Sequence, residues 1–169
     1  MKGGHVAATL ALGSFVVAIV ALHGIVPVWK TLTSTTARTE FWRANVPSWR
    51  VFEFANGNLD PARHKILLIG ETRALWLRIP FLAPSSFNGP ELAGVLPANA
   101  DANEWLRRLH GMGVTHILIC SSEWQRLAGA NGYFRLSDDH LSRFNAWLHT
   151  LSLLFDDHQG NVLLKIPVS

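Results

Sequence analysis

Hydrophobic and polar positions divide this chain into two unlike parts. Residues 6–28, VAATLALGSFVVAIVALHGIVPV, are apolar and contain no Asp, Glu, Lys or Arg. A helix rises about 1.5 Å per residue and a bilayer core is about 30 Å thick, so roughly 20 apolar residues suffice to cross it. The run therefore predicts a retained transmembrane helix. A cleaved signal peptide is the rival reading, with Lys2 as its positive start. Against it, the apolar stretch exceeds the usual ~7–15 residues and no small-residue cleavage pattern follows. Trp29 and Lys30 stand where an interfacial aromatic and a stop belong.

Everything after Trp29 is mixed in polarity and broken by turn residues. Residues 30–40 are polar and Thr-rich, a juxtamembrane linker or a helix extension. Ser48 is placed to cap a helix carrying Phe52, Phe54 and Ala55. KILLIGE (65–71) reads as a fully buried strand, followed by helix-like TRALWLR and a short extended IPFLAPS. Residues 87–100 form a loop with room for one helical turn. Asp101 caps a helix over ANEWLRRLHGMG that ends at Gly111 or Gly113. THILICS is a second buried strand, and SSEWQRLAGANG opens with a Ser cap. Ser137 then caps a long helix, DDHLSRFNAWLHTLSLLFDD, with Leu141, Phe144, Leu148, Leu151 and Phe155 on one face. Gly160 and Asn161 turn the chain into VLLKIPV, expected at a sheet edge because Lys165 is out of phase and Pro167 ends pairing. Buried strands alternating with amphipathic helices predict an α/β fold. The expectation is one N-terminal transmembrane helix (1–29), a linker (30–47), and a small, mainly parallel, Rossmann-like three-layer sheet domain (48–169).

Charge narrows the partners without naming one. The formal net charge is +3 and the basic residues are scattered, so no nucleic-acid partner is expected. Lys2 precedes the apolar run while Lys30, Arg38 and Arg43 follow it, a count that places the C-terminal part in the cytoplasm. Cys120 is the single cysteine and reads as a buried structural thiol. The eight histidines show no ligand spacing, so no metal is expected. Gly70 and the Gly111–Gly113 pair do not form a phosphate loop, so no cofactor is expected either.

In an open α/β sheet, function gathers at the carboxyl ends of strands. Glu71 and Glu123 both fall there, with Arg73 and Arg126 close behind in sequence. These four form a candidate polar rim. It reads as an ion-pair network capping the sheet, as a binding site for a sugar, phosphate or partner loop, or, least of all, as a pair of catalytic carboxylates. A hydrolase of the SGNH kind would carry a serine where this chain has Thr72, and Ser137-Asp138-Asp139-His140 lacks the D-x-x-H spacing.

Taken together, IGETRALWL, FLAPSSFN, LRRLHGMGVTHILICSSEWQRL and VLLKIPV resemble the C-terminal extracytoplasmic region of bacterial GT-C-type glycosyltransferases that use polyprenyl-phosphate sugars, similar to protein O-mannosyltransferases. The similarity covers most of residues 6–169. It rests on Gly70, Glu71, Arg73 and Ala74, then Gly113, Val114, Thr115 and His116, then Glu123 and Arg126. In those enzymes the catalytic carboxylate lies in a first extracytoplasmic loop, and that loop and the further spans have no counterpart here. The resemblance thus implies a domain that does not catalyse transfer alone and serves as scaffold, docking or acceptor-binding unit. Its implied partners are the bilayer, through residues 6–28, and a multi-spanning glycosyltransferase subunit or a lipid-linked sugar. It also implies a single-pass protein with its domain on the periplasmic side, against the charge count. The alternatives are an independent secreted or anchored binding module and a degenerate hydrolase.

Overall fold

The computed structural model describes residues 34–83, 92–130 and 137–168, with Ala93 and 126–130 described by backbone alone. The chain divides into two units, Met1–Asn45 and Val46–Ser169. In the first, helix α1 (Thr35–Asn45) occupies part of the stretch expected as linker or helix extension. The Ser34 hydroxyl accepts the Ala37 amide at 3.3 Å, satisfying one donor that a helix start leaves open.

The second unit begins with α2 (Trp49–Asn58) and β1 (Ile66–Ile69). Next come β2 (Phe81–Leu82), the single turn α3 (Leu92–Val95), α4 (Ala102–Gly111) and β3 (His116–Cys120). It closes with α5 (Ser121–Ala130), α6 (Asp138–Leu148), β4 (Ser152–Asp156) and β5 (Asn161–Lys165). The five strands lie in the order β2-β1-β3-β5-β4. β1 pairs parallel with β2 and β3, whereas β5 pairs antiparallel with both β3 and β4.

The sheet is thus mixed, with more of its ladder antiparallel than parallel, and the mainly parallel Rossmann-like expectation is corrected. The reason lies in residues 138–157. Leu151 and Phe155 continue the helical spacing, yet α6 ends at Leu148, where Thr150 turns back and donates its hydroxyl to the Trp147 carbonyl at 2.7 Å. SLLFD then runs as a strand and forms a hairpin with β5. Asp156 accepts the His158 amide at 2.7 Å, and His158 and Gly160 take φ of 58° and 92° in the turn. A hairpin needs only a short turn, whereas a parallel return needs a crossover of a dozen residues or more. VLLKIPV consequently sits inside the sheet and β4 takes the edge. TRALWLR also differs from expectation, forming an irregular loop with a turn at Leu75–Trp76.

Among the described residues no helix is long and apolar enough to cross a membrane. The longest have 11 residues, about half of the roughly 20 a span requires. The 6–28 run on which the span was read lies outside the described residues. Single-pass anchoring with a periplasmic domain is therefore not supported.

Side chains alternate across a strand, so the sheet has two buried faces. Leu67, Ile69, Ile117, Leu164 and Ile166 meet Trp105 and Leu109 of α4 and Phe144 and Trp147 of α6 in one cluster. Ile66, Leu68, Leu118 and Leu163 are buried on the opposite face. α2 covers that face, burying Val51, Phe52 and Ala55 and stacking Phe54 on Phe155 at 4.5 Å. A bulge between Leu153 and Phe155 turns these two residues to opposite faces, which lets Phe155 reach α2. Each fully buried Leu, Ile or Phe contributes about 1.5–3 kcal/mol, so both layers matter to stability.

Gly70 ends β1 at φ +78°. A Cβ there would lie 2.5 Å from the Cys120 carbonyl oxygen and 2.9 Å from the Trp124 amide nitrogen. Left-handed strain and this backbone clash act together, so Gly70→Ala should destabilise the unit by about 3 kcal/mol or more. Urea unfolding of the two proteins checks this; an unchanged midpoint would contradict the close approach of β1 to the start of α5.

Candidate functional site

Three of the four predicted rim residues come together where β1 and β3 end. The Glu71 carboxylate is 2% exposed and receives five hydrogen bonds. Oε1 accepts the Thr72 amide at 2.9 Å, the Arg73 amide at 2.8 Å and Arg73 Nε at 3.1 Å. Oε2 accepts the Ser48 hydroxyl at 2.6 Å and Arg73 Nη2 at 3.3 Å. Arg73 Nη2 also reaches Glu123 Oε1 at 3.0 Å, so one guanidinium bridges the loop after β1 and the first turn of α5. The backbone of Arg126 lies in α5, and its side chain is outside the described set.

The local sequence explains this closure. Gly70 turns the chain sharply, which brings the amides of residues 72 and 73 back onto the Glu71 carboxylate. Burial acts to raise the Glu71 pKa, but the hydrogen bonds from Arg73, Ser48 and the Arg73 amide outweigh it, and the net shift is downward. The same hydrogen bond to Glu71 raises the Arg73 pKa, against the opposing effect of burial. Glu71 is thus held as an anion surrounded by donors, a poor general acid or base.

Sequence reasoning missed the part played by Ser48. It precedes α2 as expected, but its side chain makes no cap hydrogen bond and donates instead to Glu71. By contrast, Asp101 accepts the Glu104 amide at 2.8 Å and Ser137 accepts the His140 amide at 3.3 Å, both as caps. A second buried polar group, also missed, adjoins the entry to α2. Asn161 Nδ2 donates to Asp157 Oδ2 at 2.6 Å and to the Pro47 carbonyl at 3.0 Å. Arg50 donates to the Asp157 carbonyl at 3.3 Å. The only sequence signal for these links was the turn-rich run DDHQGN.

Cys120 is fully buried, and burial raises its thiol pKa, so it is a structural thiol rather than a nucleophile. Thr72 and His140 do not form a hydrolase pair. Thr72 is exposed at the rim, whereas His140 is buried with its ring 5.6 Å from Trp105. Among the described residues no group of three or more His, Cys, Asp or Glu is placed to hold a metal ion. No family model, no curated protein and no solved structure matches this chain.

Because the folded Glu71 pKa is depressed, its contribution to stability is present above the unfolded carboxylate value of about 4.3 and is lost as pH falls through the folded value. Glu71→Gln should lower stability at pH 7 by about 2 kcal/mol, the scale of a charge-assisted hydrogen-bond set whose partner Arg73 is half exposed. It should also flatten the fall in stability below pH 5. Urea unfolding of both proteins from pH 3 to pH 7 measures this, and equal pH slopes would rule out Glu71 as the source.

Proposed function

We propose that the Val46–Ser169 unit is a non-catalytic binding module, related to the C-terminal region of lipid-linked-sugar glycosyltransferases and serving to dock a partner. The observation that carries this reading is how the rim's polar groups are used. Glu71, Arg73 and Glu123 satisfy one another, leaving Glu71 sealed from solvent. This braced rim presents a short loop whose Leu75 is 84% exposed. Asn56 holds the far end of that loop, accepting the Arg78 amide at 2.7 Å and donating to the Trp76 carbonyl at 2.9 Å. An exposed leucine on a loop tied at both ends is suited to insertion into a partner's apolar pocket, because little ordering entropy remains to be lost. Support for the glycosyltransferase relationship comes from the order of the Gly70-Glu71-x-Arg73-Ala74 and Gly113-Val114-Thr115-His116 blocks. The partner that fits this reading is a multi-spanning glycosyltransferase subunit.

Placing a photo-crosslinking amino acid at position 75 in the full chain tests the reading. In cells of the source organism, one discrete adduct with a multi-spanning protein is expected, and it should be lost when Arg78→Glu is added nearby. Absence of any adduct, or an esterase activity of the purified chain that disappears in Thr72→Ala, would overturn it.

A further inference from the structure

At the opposite end of the sheet from the rim, a cleft of about 420 Å³ opens beside the first residues of β1 and β3 and the last of β5. That volume lies within the range of about 300–1,000 Å³ typical of small-molecule pockets. His64, His116, Arg63 and Lys165 line it, with Asp60 as the one carboxylate and His110 at its border. β3–β5 register sets His116 directly opposite Lys165, so both project from the same face of the sheet. The His64 and His116 rings meet edge to face at 5.1 Å.

Hydrogen bonding orients the two inner imidazoles and fixes the tautomer of neutral His64. His64 Nδ1 accepts the Asp60 amide at 2.9 Å, so the neutral ring carries its proton on Nε2. His116 Nδ1 lies 2.7 Å from the Thr115 hydroxyl. That hydroxyl donates to the Lys65 carbonyl at 3.1 Å and accepts the Lys65 amide at 3.0 Å, which ties the start of β3 to the start of β1. The hydrogen bonds of both rings are made through Nδ1. His110, in contrast, donates its Nε2 proton to the Pro167 carbonyl at 3.0 Å and ties the segment after β5 beside the cleft.

We propose that this cleft binds the phosphoryl group of a small phosphate monoester. The His64 and His116 imidazoles line it together with two cations, Arg63 and Lys165, an arrangement that suits a doubly charged oxyanion. Asp60, the one carboxylate of the lining, accepts the Ala62 amide at 2.9 Å through Oδ1. The cleft is larger than a bare phosphate needs, leaving room for an organic group against Val114 and Ile166. The His116 pKa is depressed to about 4, first by burial and then by the neighbouring His64 and Lys165. A bound dianion reverses the sign of that field. The proposal is independent of the docking reading, since it uses none of the rim or loop residues.

The test is titration of the full chain, ¹⁵N-labelled on histidine, with glycerol 3-phosphate and separately with inorganic phosphate at pH 7.5 and constant ionic strength. Imidazole ¹H–¹⁵N correlations are the readout. The His64 and His116 imidazole signals should shift together and saturate, with glycerol 3-phosphate binding several-fold tighter than inorganic phosphate. The His116 titration should move up from about 4 by about one unit or more on saturation, the scale set by nearby opposite charge. Lys165 is exposed, so Lys165→Ala should keep the fold while weakening affinity about tenfold, as loss of a charge-assisted contact does. Non-saturating shifts, shifts of equal size at the exposed His149 and His158, or unchanged affinity in Lys165→Ala would overturn the site. Equal affinity for the two anions would overturn its assignment to a monoester.

Discussion

One buried carboxylate ties together three separate parts of the Val46–Ser169 unit. Glu71 is nearly inaccessible to water, and an unpaired charge in that position would cost several kcal/mol. Its stability in place depends on donors from the loop it begins, from Ser48 at the entry to α2, and from Arg73, which continues to Glu123 on α5. Glu71 directly follows Gly70, whose left-handed φ of 78° turns the chain at the end of β1. The positions of α2 over one face of the sheet and of α5 at the end of β3 are therefore linked through a single ion. The Asn161–Pro47 and Arg50–Asp157 bonds reinforce the same junction from the β4–β5 hairpin.

The two ends of the sheet consequently differ in character. At the carboxyl ends of β1 and β3 the polar groups are mutually satisfied, and the loop they brace carries an exposed apolar side chain. At the amino ends, cationic side chains outnumber carboxylates around an open cleft, and one imidazole is held neutral by burial. A closed rim suits surface recognition by shape, and an open basic cleft suits an anion. The usual expectation for open α/β sheets, with ligands at the carboxyl ends, rests on helix starts that face a gap between parallel strands. Here an antiparallel hairpin occupies the position next to β3.

How far the chain could be read in advance varies from element to element. THILIC and ILLI were legible as buried strands because continuous apolar runs of that length have few other uses. The caps at Asp101 and Ser137 were legible because an acceptor side chain just before an amphipathic segment acts locally. Ser48 had the same local signature and a different role, since a buried anion from a distant strand competed for its hydroxyl. LSLLF satisfied both the helical spacing of α6 and the needs of an edge strand, and pattern alone did not separate them. The pairing of Glu71 with Arg73 was visible as a short spacing, whereas the bridge onward to Glu123 depends on β1 and β3 lying side by side.

The order of residues by itself determined where most strands and helices form, that Cys120 is buried, and that acidic and basic groups gather after β1 and β3. These follow from side-chain polarity and from hydrogen bonds between residues a few positions apart. Strand direction and order, the inward place of β5, and the two contrasting ends of the sheet were decided only in three dimensions. Each depends on contacts between residues far apart in the chain, whose energies are set by which buried polar groups find a partner once the sheet has closed.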